Sequence, residues 1–221
     1  MRFLTVLLIT TLFSGLAFAR GGEGGMERTR LGLFYGYGSL APTDVNNYIN
    51  AVGGSPKDNS LTSFFYYGGE IGYMVTPRLE LTGEYNQQSA NNPVNNSFGL
   101  NSGVQLSLNA FFAGLNYYLV DHGPIRFRVG GQVGYPTYAH ATIIQGSYSQ
   151  YDSTFAPIYQ GLADVDFMLG HRFSIFAEGG YQYALLNALS NGANLKNPST
   201  GNNVNFDMSG WRWQAGLNFY F

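Results

Sequence analysis

The stretch that decides the fold is residues 211–221, WRWQAGLNFYF. Every odd position in it is apolar: Trp211, Trp213, Ala215, Leu217, Phe219 and Phe221. The even positions are polar or small until Tyr220. A β-strand directs alternate side chains to opposite faces, so this pattern predicts a strand with one greasy and one polar face. A wholly apolar, aromatic face is typical of a strand with lipid outside and water inside.

The length of this stretch matches a membrane. Ten residues at about 3.3 Å each extend roughly 33 Å along a strand. Tilted by about 40°, such a strand rises roughly 25 Å, which is the height of the apolar band of a membrane barrel. We therefore expect an aromatic girdle, with Phe219 and Phe221 at one interface and Trp211 and Trp213 at the other. Aromatic packing in a soluble core makes no such length prediction.

The N-terminal residues 1–19 have the pattern of a signal peptide. Arg2 supplies a positive start, residues 3–16 are mostly apolar, and Ala17-Phe18-Ala19 is a small-x-small cleavage site. The alternative is a retained anchor, but an apolar run of about 14 residues is shorter than the roughly 20 that span a bilayer. We expect cleavage after Ala19, a flexible segment over residues 20–27 and a barrel over residues 28–221.

The composition points to the same class of protein. Charged residues make up 11% of the chain, aromatic residues 16%, and there are 30 glycines and no cysteine. Soluble domains carry about 25% charged residues. The absence of cysteine excludes a disulfide framework and a lipidated cysteine. A net charge of −2 gives no reason to expect nucleic acid as a partner.

Alternating patterns recur along the whole mature chain and predict eight strands. They cover residues 28–41, 61–76, 79–88, 104–120, 125–143, 153–169, 172–186 and the final stretch. Short turns near residues 77, 122 and 171 alternate with longer segments at 42–60, 89–103, 144–152 and 187–205, which are rich in Asn, Gly, Ser and Pro. The sequence thus predicts an all-β fold: a closed antiparallel transmembrane β-barrel of eight up-and-down strands. Ten strands is the alternative if a long loop hides a hairpin, and a soluble β-sandwich or lipocalin would instead place its apolar face inside.

Three local irregularities stand out. The alternation of the fourth strand slips near Phe111 and Phe112, which suggests a β-bulge there. Pro136 and Pro157 are symmetric about residues 146–147, and each removes a ladder hydrogen bond, so we expect a disruption or bulge beside them. Thr43 caps a short helical pattern over residues 44–52, which we expect over the barrel mouth or at the membrane interface.

The chain resembles the small eight-stranded outer-membrane barrels, namely the OmpA-type transmembrane domain and its OmpX- and OmpW-like relatives. The resemblance is one of pattern and covers the mature chain. Residues 217–221, LNFYF, resemble the C-terminal signal that the outer-membrane assembly machinery recognises. The resemblance implies the outer membrane of a Gram-negative-type bacterium, with short periplasmic turns, longer external loops, and contact with outer-membrane lipids including lipopolysaccharide. It does not imply the peptidoglycan-binding domain of OmpA, for which this sequence has no counterpart.

The inward-facing positions carry nearly all the charge of the predicted strands. They are Arg28, Arg30, Glu70, Glu80, Glu84, Arg126, Arg128, Asp164, Asp166, Glu178 and Arg212. Five positive and six negative groups are close to balance, and an isolated buried ion is very costly, so we expect an ion-paired network. This network is either the polar core of the barrel or a gate whose pairs rearrange. Whether the Arg126 and Arg128 doublet pairs with Asp164 and Asp166 depends on the register.

The sequence favours a non-enzymatic barrel with a structural or surface-interaction role and an unknown surface ligand. The first alternative is a narrow pore, or a lateral channel for small hydrophobic solutes near Pro136 and Pro157. The second is a barrel enzyme that modifies lipid acyl chains. Only His140 is placed near the outer rim, with Ser147, Ser149 and Asp152 close by in sequence. A surface histidine beside a Ser-rich loop explains this pattern without chemistry, so we predict no catalytic residues. Three scattered histidines and no cysteine indicate no metal site, and no pattern indicates a cofactor.

Overall fold

The computed structural model describes residues 28–40, 42–53, 60–95, 101–121, 123–145, 147–154 and 156–221. The predicted signal peptide, residues 1–19, and the predicted flexible segment, residues 20–27, lie outside the described residues. The elements follow in the order β1 (Thr29–Ser39), α1 (Thr43–Gly53), β2 (Ser63–Thr76), β3 (Leu79–Asn95), β4 (Asn101–Val120), β5 (Ile125–Gln145), β6 (Tyr148–Asp152), β7 (Ile158–Met168), β8 (Phe173–Tyr183), β9 (Leu185–Ala188), β10 (Asn205–Asp207) and β11 (Gly210–Tyr220).

The strands close into an antiparallel barrel with eight wall positions. The sheet runs in the order β4-β3-β2-β1-β11-β8-β7-β5, and β4 also pairs with β5, which closes the ring. The strands β6 and β7 occupy one wall position, because both pair with the same side of β5. The first and last wall strands meet in continuous register from Arg30↔Tyr220 to Gly38↔Arg212. The predicted fold class and strand number are therefore confirmed.

The outer wall of the barrel is apolar, as the alternating pattern predicts. Leu33 is 73% exposed, and the large apolar side chains that are exposed on the other strands include Tyr35, Tyr37, Phe65, Tyr67, Leu81, Phe111, Leu115, Val133, Tyr135, Phe167, Phe173, Ile175, Tyr181, Tyr183, Trp211, Trp213, Leu217 and Phe221. So large an exposed apolar surface is unstable in water and stable in lipid. Since these strands span the predicted height, the barrel is built to sit in a bilayer.

The two ends of the barrel differ in length. At one end, called the turn end, the strands are joined by the short connections at residues 77–78, 121–124 and 169–172. At the other end, called the loop end, β3 continues to Asn95 and β4 starts at Asn101, so their hairpin extends well beyond the apolar band. The predicted long loop over residues 89–103 is therefore mostly strand. β5 and β6 likewise form a hairpin where the sequence suggested a loop over residues 144–152.

The interior of the barrel changes character along its axis. The turn-end half is lined by charged and amide side chains, whereas the loop-end half is filled by an apolar core. In β4, Leu106, Leu108 and Ala110 all face this core, and the alternation continues through Phe112 without a break. The bulge predicted in β4 near Phe111 and Phe112 is therefore not found in that strand; the register shift beside it, between Asn109 and Ala110 in the ladder with β5, has its extra residue in β5. The apolar residues change face there because the barrel interior changes from polar to apolar.

The wall is interrupted beside the two prolines, as predicted. Asn109 pairs with Tyr138 and Ala110 with Pro136, so Thr137 is the extra residue of a bulge in β5. On the other side of β5, paired residues stop at Gly134↔Ile158 and resume at His140↔Asp152. Between these points, Ser153 N donates to Ala139 O at 3.0 Å. Proline lacks the backbone N–H that a regular ladder would need here.

The loop end is closed by a folded cap, which we define as α1 together with residues 185–208. Val45, Tyr48 and Ile49 of α1 are buried in the apolar core, and Asn46 bonds both the N–H and the C=O of Leu61. Asp44 Oδ2 accepts a hydrogen bond from Asn205 Nδ2 at 2.8 Å. The predicted helix is confirmed, and its apolar side packs into the mouth of the barrel instead of the membrane interface. No helix among the described residues is long and apolar enough to cross a membrane.

The exposed apolar band predicts a depth-dependent response to charge. Leu217 lies midway between the two aromatic girdles and is 59% exposed. We expect Leu217→Arg to lower the free energy of unfolding by about 2–4 kcal/mol in lipid vesicles, because an arginine at the bilayer midplane faces hydrocarbon. Val75→Arg, near the turn-end rim, is the matched control and should cost about 0–1 kcal/mol. Equal losses at the two positions, measured by urea unfolding, would contradict the placement of the band.

Candidate functional site

Two arginines hold the turn-end half of the interior together. Arg30 Nε and Nη2 bind Glu80 at 2.9 and 3.1 Å, and Nη1 binds Glu70. Arg128 contacts Glu80 Oε2 at 3.2 Å and Asp164 Oδ1 at 3.0 Å. We call Arg30, Arg128, Glu70, Glu80 and Asp164 the turn-side cluster. Glu80 is bound by a fork of two Arg30 N–H groups, and Glu70 by one N–H group of each arginine. Because several charge-assisted hydrogen bonds act at once, this cluster is held in one geometry.

A second charge cluster lies closer to the loop end. Arg212 Nη2 is 3.2 Å from Glu84 Oε1 and 4.0 Å from Glu178 Oε1. Its Nε donates to the Tyr66 hydroxyl at 3.1 Å, and the guanidinium group lies 4.5 Å from the centre of the Tyr66 ring. We call Arg212, Glu84 and Glu178 the loop-side cluster. One arginine here serves two carboxylates.

Asp166 is bound by neutral donors. Its carboxylate accepts hydrogen bonds from the Ser174 hydroxyl at 2.8 Å, from Asn218 Nδ2 at 2.6 Å and from the Tyr220 hydroxyl at 3.2 Å. The side chain is fully buried. Three donors stabilise a carboxylate without a counter-ion.

Two of the predicted lumen arginines lie at the turn-end rim. Arg126 is partly exposed, pairs with Asp121 at 3.2 Å and lies over the Tyr220 ring. Arg28 is exposed beside the start of β1. With Arg30 they line a solvent-open recess with an empty volume of about 390 Å³. Both residues thus lie beside inward side chains such as Tyr220, but at the height where the strands end and water is accessible.

The register settles the question of the two charge doublets. Arg126 is the cross-strand neighbour of Asp166, and Arg128 is that of Asp164. Only the second pair forms an ion pair among the described residues, because Arg126 turns towards Asp121 at the rim. Sequence reasoning had left this register open.

The interior is not balanced in charge. Among the described residues, the fully buried charged groups comprise six carboxylates and three guanidinium groups; they are Glu70, Glu80, Glu84, Asp164, Asp166 and Glu178 against Arg30, Arg128 and Arg212. The sequence had indicated near balance because side-chain parity alone does not tell where a strand leaves the barrel. The buried interior therefore carries an excess of carboxylates.

A relay of amide side chains joins the charges to the cap. Asn86 Nδ2 donates to Glu84 Oε1 at 2.6 Å, and Gln88 Nε2 donates to Asn86 Oδ1 at 3.0 Å. Gln88 and Gln182 exchange two hydrogen bonds at 2.9 and 3.0 Å, and Gln182 Nε2 also reaches Met208 O. Sequence reasoning missed these residues, although Asn86 and Gln88 continue the spacing of two set by Glu80, Thr82 and Glu84.

The aromatic residues of the final strand form clusters at two heights. Phe219 packs against Phe173 and Phe221 with ring centroids 4.7 and 4.4 Å apart. Trp211 packs edge-on against Tyr181 at 5.4 Å, and Trp213 is 61% exposed. Amphipathic rings at two levels of an apolar wall are typical of membrane-interface girdles.

His140 lies on the part of β5 beyond the loop-end girdle. Its Nε2 is 3.3 Å from the Tyr138 hydroxyl, and its cross-strand neighbour is Asp152. The Ser153 hydroxyl donates to Asn187 O, and Asp152 accepts from Gln150. On its other side, the cross-strand neighbour of His140 is Ser107 of β4, but within the described structure the ring nitrogen Nδ1 has no hydrogen-bond partner. Among the described residues, no group of three or more His, Cys, Asp or Glu is placed to hold a metal. Burial lowers the pKa of His140, and the nearby Asp152 opposes this shift.

Two arginines on one strand provide a matched test of the turn-side cluster. We expect Arg128→Met to lower the free energy of unfolding by about 3–5 kcal/mol, because it leaves buried carboxylates without their partner. Arg126→Met removes a partly exposed pair at the rim and should cost about 0–1 kcal/mol. Urea unfolding of the refolded barrel in lipid vesicles, followed by tryptophan fluorescence, measures both. Similar losses for the two variants would contradict the buried arrangement.

The pKa of His140 predicts a pH dependence of the β5–β6 hairpin. Its pKa in the folded protein lies below that in the unfolded chain, so the unfolded form takes up the proton first as the pH falls. We expect the hydrogen-exchange protection of β6, corrected for intrinsic exchange, to fall as the pH drops below about 6.5. His140→Asn should abolish this loss, and His171→Asn, in an exposed turn, should leave it unchanged. Protection that is equal at pH 7.5 and 5.5 would refute the expectation.

Comparisons with known proteins identify the fold and nothing narrower. No protein-family model and no curated protein matches the chain. Among solved structures, the outer membrane protein OprG from Pseudomonas aeruginosa is similar with a TM-score of 0.55 and 13% identity, over 90% of this chain and 98% of that one. Neisserial surface protein A has a TM-score of 0.52 and 14% identity, over 90% of this chain and 100% of that one.

A third similar structure is Ail, the attachment invasion locus protein of Yersinia pestis, solved in complex with the heparin analogue sucrose octasulfate. It has a TM-score of 0.50 and 10% identity, over 88% of this chain and 99% of that one. Identities this low show a shared fold alone. In wall topology, strand number and outward apolar band, this chain has the fold of the small eight-stranded outer-membrane β-barrels.

Proposed function

We propose that the protein is a non-enzymatic, integral outer-membrane protein of a Gram-negative-type bacterium. Its role is structural and surface-facing, with the turn end in the periplasm and the loop-end cap outside the cell. The apolar wall and the fold shared with outer-membrane barrels support this location. Its partners on this proposal are outer-membrane lipids, including lipopolysaccharide, around the wall, and the assembly machinery at the last strand.

The observation that carries the proposal is the filled loop-end half of the barrel. Leu106, Leu108 and Phe206 have no exposed surface and pack with the buried side of α1 in one apolar core. Water and ions do not pass through a close-packed apolar core. The polar interior beneath it therefore supports a closed barrel more than a conducting pore, and it leaves the cap as the part that meets the surroundings.

The surroundings of His140 support a non-enzymatic role. Its ring nitrogen Nε2 contacts a tyrosine hydroxyl, and Ser153, which directly follows the cross-strand neighbour Asp152, donates to a backbone carbonyl instead. Nucleophilic catalysis needs a serine, a base and an orienting acid within hydrogen-bond reach of each other. Ser107 and Asp152 are the cross-strand neighbours of His140, but in the described part of the chain Nδ1 of the ring has no hydrogen-bond partner and Nε2 contacts a tyrosine, so no hydrogen-bonded set supports a lipid-acyl-modifying activity.

A second candidate function is a lateral route for small hydrophobic solutes. The interruption between Gly134↔Ile158 and His140↔Asp152 favours it, because it lies at the loop-end girdle and beside the apolar core. A solute that enters there would pass from the core to the membrane without crossing the charged half. This candidate function uses the same barrel and differs from the first in that small hydrophobic solutes pass through it.

Planar-bilayer conductance of the refolded barrel tests the proposal. We expect a silent wild type, and a silent Arg212→Ala variant, because the apolar core stays in place when the charge clusters change. The Leu106→Asp variant, which places a charge in that core, is the comparison in which openings are expected.

Discrete openings of the wild type would contradict the proposal and indicate a pore. Silent barrels that speed the entry of a hydrophobic fluorescent solute into vesicles would favour the lateral route. Silent barrels without such a flux support the structural and surface role.

A further inference from the structure

The loop-side cluster is short of one positive charge. Glu84 and Glu178 share Arg212, and all three side chains are at most 5% exposed. Arg212 also donates hydrogen bonds from Nε to the Tyr66 hydroxyl and from Nη2 to Gln214 Oε1, the latter at 2.7 Å. If both carboxylates are ionised, the cluster holds an uncompensated negative charge inside a narrow, membrane-embedded barrel. Such a charge is very costly.

No neighbouring group among the described residues supplies the missing charge. Glu70 and Asp164, which also act on Glu178, are acids of the turn-side cluster, and that cluster itself has two arginines for three carboxylates. The nearest further arginines, Arg126 and Arg28, lie at the turn-end rim. The described part of the chain therefore has no cation to spare for this pair of carboxylates.

Polar atoms without partners mark the place where an added positive charge would bind. Glu84 Oε2 and Glu178 Oε1 have no hydrogen-bond partner within the described structure. The same holds for the Thr82 hydroxyl and for both amide atoms of Gln132, a side chain only 4% exposed. Thr82 is the inward position next to Glu84 on β3, and Gly114 pairs with both Thr82 and Gln132. A Cβ atom at Gly114 would lie only 2.6 Å from Gln132 Cγ, so the Gln132 side chain packs directly over this glycine. Its amide therefore extends over Gly114 towards β3.

We propose that the folded barrel binds one extra positive charge between Glu84 and Glu178, as a proton or as a monovalent alkali cation. A proton from bulk water would bond to one carboxylate oxygen and be shared with the other carboxylate by a hydrogen bond. An alkali cation would use the same oxygens, with those of Thr82 and Gln132 alongside, since hard cations prefer oxygen ligands. This site is independent of the surface role and gives the closed interior a ligand of its own.

The folding equilibrium in lipid vesicles tests the site, with urea titrations from pH 6 to 10 in sodium and in tetramethylammonium chloride of equal ionic strength. If a proton is bound, the wild-type folding constant falls with rising pH, by about tenfold per pH unit for each proton taken up. If an alkali cation is bound, the constant at fixed pH rises with sodium and not with tetramethylammonium, which is too large for the site.

The variant Glu178→Gln removes the surplus charge and keeps the shape of the side chain. We expect its folding constant at pH 10 in tetramethylammonium to exceed that of the wild type by about tenfold or more. The number of protons or sodium ions that it takes up on folding should be smaller by one than in the wild type. Glu84→Gln, the second member of the pair, should act in the same direction and covers the case in which Glu178→Gln does not refold.

The matched control is Glu80→Gln, whose carboxylate is bound by both Arg30 and Arg128. It should destabilise the barrel at every pH, opposite in sign to Glu178→Gln. A wild-type equilibrium that depends on neither pH nor sodium would overturn the proposal. So would pH and sodium dependences that are the same in the wild type and in the Glu178 and Glu84 variants.

Discussion

Closure of the backbone ladder is the constraint on which this molecule depends. A bilayer offers no water to satisfy backbone N–H and C=O groups, so each wall strand needs a partner on both sides. The pairing of β1 with β11 supplies the last of these contacts and fixes the barrel at eight wall positions. An eight-stranded barrel is just wide enough for side chains to fill it, so inward residues meet across the axis. Arg128 on β5 reaches Glu80 on β3 for this reason.

The same strands serve two solvents, and this explains the division of the interior. Within the bilayer, β4 turns Phe111 and Leu115 towards lipid and Asn116 towards the polar lumen. Beyond the bilayer the pattern inverts: Leu106 and Leu108 face inward and Gln105 is exposed outside. The outer half thus obeys the rule for soluble proteins and the inner half the rule for membrane barrels. The relay from Glu84 through Gln88 and Gln182 to Met208 lies at the boundary between the polar and the apolar half of the interior.

The fold was largely predictable from the sequence, and the site only in part. Period-two alternation in residues 211–221 predicts which side chains face out. The prolines at 136 and 157 predict the interruption of the strand pairing beside them. The bulge near Phe111 was assigned to β4 because a change in the contents of the barrel looks, in one strand, like a change of phase. Parity placed Arg28 and Arg126 inside because it records the face of a strand and not where the strand ends. Pairing between distant strands, such as Arg212 with Glu84, requires the register of several ladders at once.

The cap ties together parts of the chain that are far apart in sequence. Asp44, at the start of α1, binds Asn205, which comes just before the final strand. The two residues are 161 positions apart, and the segment between them contains every wall strand except β1 and β11. Contacts of such long sequence separation form late, because loop-closure entropy opposes them. Assembly of the cap therefore requires the strands between α1 and β11 to be in place, and a barrel without its cap would expose the apolar side of α1 at the loop end.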